Sequence, residues 1–130
     1  MIIWTNGCFD VIHKGHVELF KYAKSLGSKL YVGIDSDDKV RKDKGSGRPF
    51  NNQHDRREVL ESIKYIDGVF TFNSTQGLED LVRIVGASKL VIGSDWKGKT
   101  VIGEQYVDEV VFFDRIEGYS TTEILEWKNQ

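Results

Sequence analysis

His13 and His16 lie three residues apart in Thr5-Asn6-Gly7-Cys8-Phe9-Asp10-Val11-Ile12-His13-Lys14-Gly15-His16, where a short apolar run gives way to helical spacing. At the first turn of a helix the backbone N–H groups lack intrahelical partners and the dipole is positive, so an anion is favoured there. Residues at this separation fall on one side of the turn, and both imidazoles can donate to phosphate oxygens. Gly15 removes a side chain where a phosphate must approach the backbone, and Lys14 adds a positive charge. Such a site suits a triphosphate attacked at its α-phosphorus with departure of pyrophosphate. Alignment and stabilisation of growing negative charge supply most of the catalysis in that reaction. Zinc is the competing use of paired histidines, but no third and fourth ligand accompanies them. His54 stands at a polar helix start and Cys8 in the strand-end turn, so no protein side chain is assigned to a metal.

These residues need a strand to lead into them and a helix to follow. Ile2-Ile3-Trp4-Thr5 reads as the strand, and Val17, Phe20, Ala23 and Leu26 recur at helical spacing until Gly27. Residues 29–34 form a second apolar strand. Residues 39–48 carry Lys39, Arg41, Lys42, Lys44 and Arg48 with Gly45 and Gly47 and read as a mobile basic loop with one helical turn at most. Asn51 or Asn52 caps a helix running to about Tyr65. Further strands are expected at residues 69–72, 90–92 and 110–113. A helix marked by Leu78, Leu81, Val82 and Val85 stops at Gly86, and Ser120-Thr121-Thr122 caps a last one through Trp127. Apolar strands alternating with helices imply an α/β fold, a doubly wound Rossmann-like domain over residues 1–130 with a five-stranded parallel sheet. Ligands of such sheets bind beyond the carboxyl ends of the strands. That rule gathers the opening stretch, residues 93–96, residues 115–122 and the basic loop at one edge.

The bulk composition agrees. The chain has 130 residues, 39% hydrophobic and 29% charged, with a formal net charge of -2, which suits one domain with a real core. It lacks the basic excess that nucleic-acid binding needs, and no apolar run is long enough to span a bilayer. Met1 opens straight into a strand rather than a secretion signal. A single cysteine, Cys8, excludes an intrachain disulfide and points to a cytoplasmic setting.

Gly7-Cys8-Phe9-Asp10 and His13-Lys14-Gly15-His16, with Arg115-Ile116-Glu117-Gly118-Tyr119-Ser120-Thr121-Thr122 far downstream, resemble the cytidylyltransferase-like nucleotidylyltransferase superfamily. Its blocks are G-[TC]-F-D, H-x-G-H and R-x-E-G-x-S-T-[TS]. The likeness covers essentially the whole chain and divides between two relatives. Asn6-Gly7-Cys8-Phe9-Asp10, Lys44-Gly45 with Arg48-Pro49, and Asn51 with Arg56 are similar to the heptose 1-phosphate adenylyltransferases of ADP-heptose synthesis. Gly93-Ser94-Asp95-Trp96-Lys97-Gly98-Lys99 is similar to the G-D-D-W-x-G-K block of glycerol-3-phosphate cytidylyltransferases. Those enzymes carry R-Y-V-D-E-V where this chain has Lys64-Tyr65-Ile66-Asp67-Gly68-Val69, a departure that favours the sugar-phosphate relative and ATP over CTP.

The resemblance implies that a phosphate oxygen of the acceptor attacks the nucleotide directly, with no covalent enzyme intermediate. His13, His16, Lys44 and Arg115 would be catalytic. Gly7, Cys8, Phe9, Gly15, Gly93, Asp95, Ser120, Thr121 and Thr122 would bind the nucleotide, Cys8 through its backbone N–H. Trp96 stands beside them, to stack on the base or to cover the sheet edge. Asp10, Lys14 and Arg56 would serve the phosphorylated acceptor, Asp10 by orienting a neighbour or the substrate. Mg²⁺ is expected with the triphosphate and a homodimer as the assembly. The rival reading is a nucleotide-binding module without turnover, which would have little need for both histidines.

Overall fold

In β1 (Ile2–Gly7), Ile3 and Trp4 point to opposite faces of the sheet and both are buried. The computed structural model describes residues 1–114. After β1 come α1 (Lys14–Ser25), β2 (Lys29–Asp35), α2 (Asp37–Lys44), α3 (Gln53–Glu61), β3 (Gly68–Phe72), α4 (Thr75–Val85), β4 (Lys89–Gly93) and β5 (Glu109–Phe113). Short 3-10 turns at Ser94–Trp96 and Glu104–Tyr106 follow β4. The helix expected over residues 120–127 lies outside the described residues, as do Arg115, Ser120, Thr121 and Thr122.

Among the described residues the sheet has five strands in the order β3-β2-β1-β4-β5, and every ladder is parallel. The strand order reverses between β1 and β4, so a crevice opens at their carboxyl ends. Phe20 and Ala23 of α1 and Leu60 of α3 pack with Ile3, Leu30, Val32 and Ile34 on one face. Leu78 and Val82 of α4 pack with Trp4, Phe72 and Leu90 on the other. The Trp4 indole lies across β2 at Gly33, where a Cβ would come within 2.4 Å of Trp4 Cζ2. Glycine at that position admits the ring.

Two expectations are corrected. Residues 39–48 were expected as a loop, but most of them belong to α2. Its single buried residue, Val40, leaves no apolar periodicity to read. The helix is held instead at its ends. Ser36 Oγ accepts from the Lys39 N–H at 3.2 Å, acidic residues occupy the first turn and basic ones the last, and Lys39 Nζ bonds Asp43 Oδ2 at 2.7 Å. In the second case α3 ends at Glu61, well before Tyr65, because Ser62 closes the helix. Its N–H donates to Glu58 O and Val59 O, each at 3.2 Å. By contrast, the Asn52 cap is present at 2.9 Å, and Gly86 ends α4 in the left-handed region at φ 68°.

Candidate active site

His13 is the N-cap of α1 in extended conformation, and its N–H donates to His16 Nδ1 at 3.2 Å. The two imidazoles stack with centroids 3.7 Å apart and planes at 23°. Phe9 takes φ 50° to turn the chain from β1 into this cap. The left-handed region costs a side-chain-bearing residue about 1 kcal/mol, which burial of the ring offsets. That ring sits edge-on to His16 at 5.3 Å and to Phe20 at 5.1 Å, so the Phe9 side chain belongs to the core and leaves its backbone to any ligand.

The bond from His13 determines the His16 tautomer. Nδ1 accepts, so in the neutral ring the proton sits on Nε2 as a hydrogen-bond donor. Burial, and secondarily the His13 imidazole, pushes the His16 pKa down to about 3. His16 therefore acts at neutral pH as an uncharged donor. The folded pKa lies below the unfolded value of 6.5, so the unfolded chain binds the extra proton first. This histidine's contribution to stability is complete above pH 6.5 and is lost as pH falls toward 3. We expect ¹⁵N spectra to show His16 Nε2 protonated and Nδ1 bare, without titration between pH 5 and 8. Over pH 6 to 4 the melting temperature should fall more steeply in wild type than in His16→Gln. A His16 titration near pH 6.5 would contradict this picture.

Asp10 and Arg56 brace the turn from inside the protein. Asp10 is buried. Its carboxylate accepts from the N–H groups of Phe50 and Asn51, each at 2.7 Å, and from Arg48 Nε at 3.3 Å. Its carbonyl accepts from Asn51 Nδ2 at 2.6 Å. These bonds tie Asp10 to the segment that leads into α3. Arg56, expected at the acceptor, is buried too. Its Nε donates to Asn51 O at 3.0 Å, one terminal nitrogen to Cys8 O at 2.9 Å and Asp35 O at 2.8 Å, and the other to Asp37 Oδ1 at 2.9 Å. One planar fork thus ties the ends of β1 and β2 to α2 and α3. A sequence signal for this existed: Arg56 precedes buried Leu60 by one turn and so shares the inward face of α3.

A cleft of about 510 Å³ opens at the carboxyl ends of the strands. Of the expected site residues, it brings together Gly7, Lys44, Gly93 and Asp95, with Trp96 beside them. It also exposes Asn6, a motif residue given no role above, and Asp35 and Lys39, whose significance depends on where α2 packs. Lys39 Nζ stands 3.9 Å from Asp35 Oδ2. Burial pushes the Asp35 carboxyl up, against the pull of Lys39 and Lys44. Cys8 is half-buried, and burial likewise pushes its thiol up despite Lys44 and Arg56; a protonated thiol is a weak nucleophile. Lys14 is exposed and Gly15 half-buried in the first turn of α1. Among the described residues no helix is long and apolar enough to cross a membrane.

The cytidylyltransferase-like family model matches residues 4–127. The chain belongs to that family. It is a nucleotidyltransferase, in keeping with the motif resemblance. Among curated proteins it is similar to the bifunctional protein HldE of Nitratiruptor sp., 46% identical over 125 residues, covering 96% of this chain and 27% of that protein. It is likewise similar to HldE of Helicobacter hepaticus, 41% identical with coverages of 96% and 26%. The chain thus spans about a quarter of the length of these relatives. Among solved structures, a lipopolysaccharide core biosynthesis protein from Thermoplasma volcanium aligns with a TM-score of 0.67 at 22% identity, covering 92% of this chain and 98% of that one. A protein of unknown function from Archaeoglobus fulgidus aligns at 0.66 and 19%, covering 92% and 94%. At those identities the likeness speaks for the shared fold.

Proposed function

We propose that this nucleotidyltransferase moves the adenylyl group of ATP onto the phosphate of a sugar 1-phosphate, a heptose 1-phosphate foremost, and releases pyrophosphate. The observation that carries the reading is the stacked His13–His16 pair at the start of α1; the cleft at the strand ends, which those two rings do not line, holds Lys39 and Lys44. The acceptor is supported by the Asn6-Gly7-Cys8-Phe9-Asp10 resemblance and by the relatives named HldE.

In this mechanism an acceptor phosphate oxygen bonds to the α-phosphorus as the bond to the pyrophosphate oxygen breaks. His16 donates from Nε2 to the phosphate oxygens, and its hydrogen bond strengthens as their charge grows. His13 is held against it. Lys44 offsets the charge of the two approaching phosphates, and Arg115 with Ser120, Thr121 and Thr122 would hold the β- and γ-phosphates. Among the described residues no cluster of three carboxylates, histidines or thiolates forms a cation cage. A Mg²⁺ ion would arrive with the triphosphate, whose charge calls for one. When bound, the ion supplies neutralisation of phosphate charge.

The test combines the purified chain and Mg²⁺ with ATP or CTP and with heptose 1-phosphate, hexose 1-phosphates or glycerol 3-phosphate, following pyrophosphate. ATP with a sugar 1-phosphate should exceed CTP with glycerol 3-phosphate by at least about tenfold in kcat/KM. The opposite order would reassign the substrates to the glycerol-3-phosphate reading. Nucleotide binding without release from any pair would favour a module without turnover.

A further inference from the structure

Trp4 and Asn6 stand two apart on β1 and so share a face of the sheet. The Trp4 indole N–H donates to Asn6 Oδ1 at 3.0 Å. An indole N–H is a donor only, so the amide atom facing it must be the oxygen, and the Nδ2 donors turn away. Asn6 lines the cleft, and among the described residues no group accepts from its Nδ2. The lock is stiff. Trp4 is buried, seated over Gly33 and tilted against Phe70 at 6.2 Å. Flipping the amide would set donor against donor and lose the bond. The donors are therefore aimed before any ligand arrives, the condition under which a polar group contributes most to orientation.

The sheet separates this amide from the histidines. His16 contacts Phe9, which packs in the cluster on the α1 and α3 face, whereas Trp4 belongs to the α4 face. Phosphoryl transfer runs in line, with entering and leaving oxygens on opposite sides of phosphorus. If the histidines hold the triphosphate, donors reaching the edge from the other face, in a cleft where Lys39 and Lys44 stand beside the expected nucleotide residues Gly7, Gly93 and Asp95, meet the entering group. We infer that Asn6 is a specificity-determining residue that donates from Nδ2 to an oxygen of the phosphorylated acceptor, and that Trp4 is the residue positioning it. The inference rests on the sugar-phosphate reading above.

The test uses the ¹⁵N-labelled full chain, with the Asn6 side-chain amide assigned by its loss in Asn6→Asp. Heptose 1-phosphate should shift that pair, and ATP should leave it in place. A matching shift with inorganic phosphate assigns the contacted oxygen to the phosphate group; a shift with the sugar phosphate alone assigns it to a hydroxyl. Either supports the inference. A shift with ATP alone, or with none of the three at millimolar concentration, overturns it. In turnover, Asn6→Asp should raise KM for the sugar phosphate at least about tenfold, roughly the loss of one hydrogen bond to a charged group, and leave KM for ATP within about twofold. Trp4→Phe keeps most of the ring and removes the N–H, so it should move the same constant in the same direction. Equal rises in both KM values would mark a merely structural role and overturn the assignment. Failure of the sugar-phosphate reading shows separately, as absence of pyrophosphate release by wild type, because the amide resonances need no turnover.

Discussion

Replacing Arg56 by leucine should destabilise the protein by about 3–5 kcal/mol, the range for removing one partner of a buried ion pair, measured by urea unfolding. Leucine leaves Cys8 O, Asp35 O and Asn51 O without the guanidinium that now donates to them, and Asp37 without its counter-charge. Each buried carbonyl left unsatisfied costs about 1–3 kcal/mol, which water entering near half-exposed Asp37 would relieve in part. Arg56→Lys should recover only a fraction, because an ammonium cannot span carbonyls on separate elements as the planar fork does. Since Cys8 follows β1 and Asp35 ends β2, kcat should fall with stability as these strand ends lose their brace. A loss below about 1 kcal/mol, the worth of one ordinary hydrogen bond, would show that the four ties are replaceable by solvent.

The second large effect is expected at His16. His16→Ala should lower kcat by about a thousand-fold, the upper range for removing a transition-state donor. It should also cost about 1 kcal/mol of stability through the lost contact with the His13 N–H. His16→Gln separates the two effects. Glutamine at this position of a helix start can return an oxygen to the cap N–H, so the melting temperature should recover. The imidazole is still missing and kcat should stay low. A kcat within tenfold of wild type in both variants would remove His16 from the chemistry and leave it a capping residue. The pyrophosphate assay reads both.

Much of this architecture could be read directly from the chain because it depends on neighbours in sequence. The five strands are short apolar runs that fill a sheet buried on both faces. α4 has both an amphipathic repeat and end signals, with Ser74 capping one end and Gly86 the other. The histidine pair was visible for the same reason: its spacing and its place at a strand-to-helix turn are local facts. α2 was missed where those signals fail, since a helix with one buried residue is held by its cap, charge order and a Lys39–Asp43 pair rather than by periodicity.

What the chain order could not disclose are the contacts made across it. The spacing to Leu60 puts Arg56 on the inward face of α3, but its partners appear only when Cys8, 48 residues earlier, and Asp35, 21 earlier, are folded against it. Asp10 gains its meaning from Asn51, 41 residues away. Even Trp4 and Asn6, close in sequence, yield the direction of the amide only after Gly33 and Phe70 have fixed the indole. The protonation of His16 belongs with these. Its residue type and spacing say that it can donate to phosphate, but burial beside His13 makes it a neutral donor through one named nitrogen. Local pattern specifies which groups are available, because helix ends and strand faces follow from adjacent residues. Their charge, orientation and partners follow from burial, which arises when distant segments close around them.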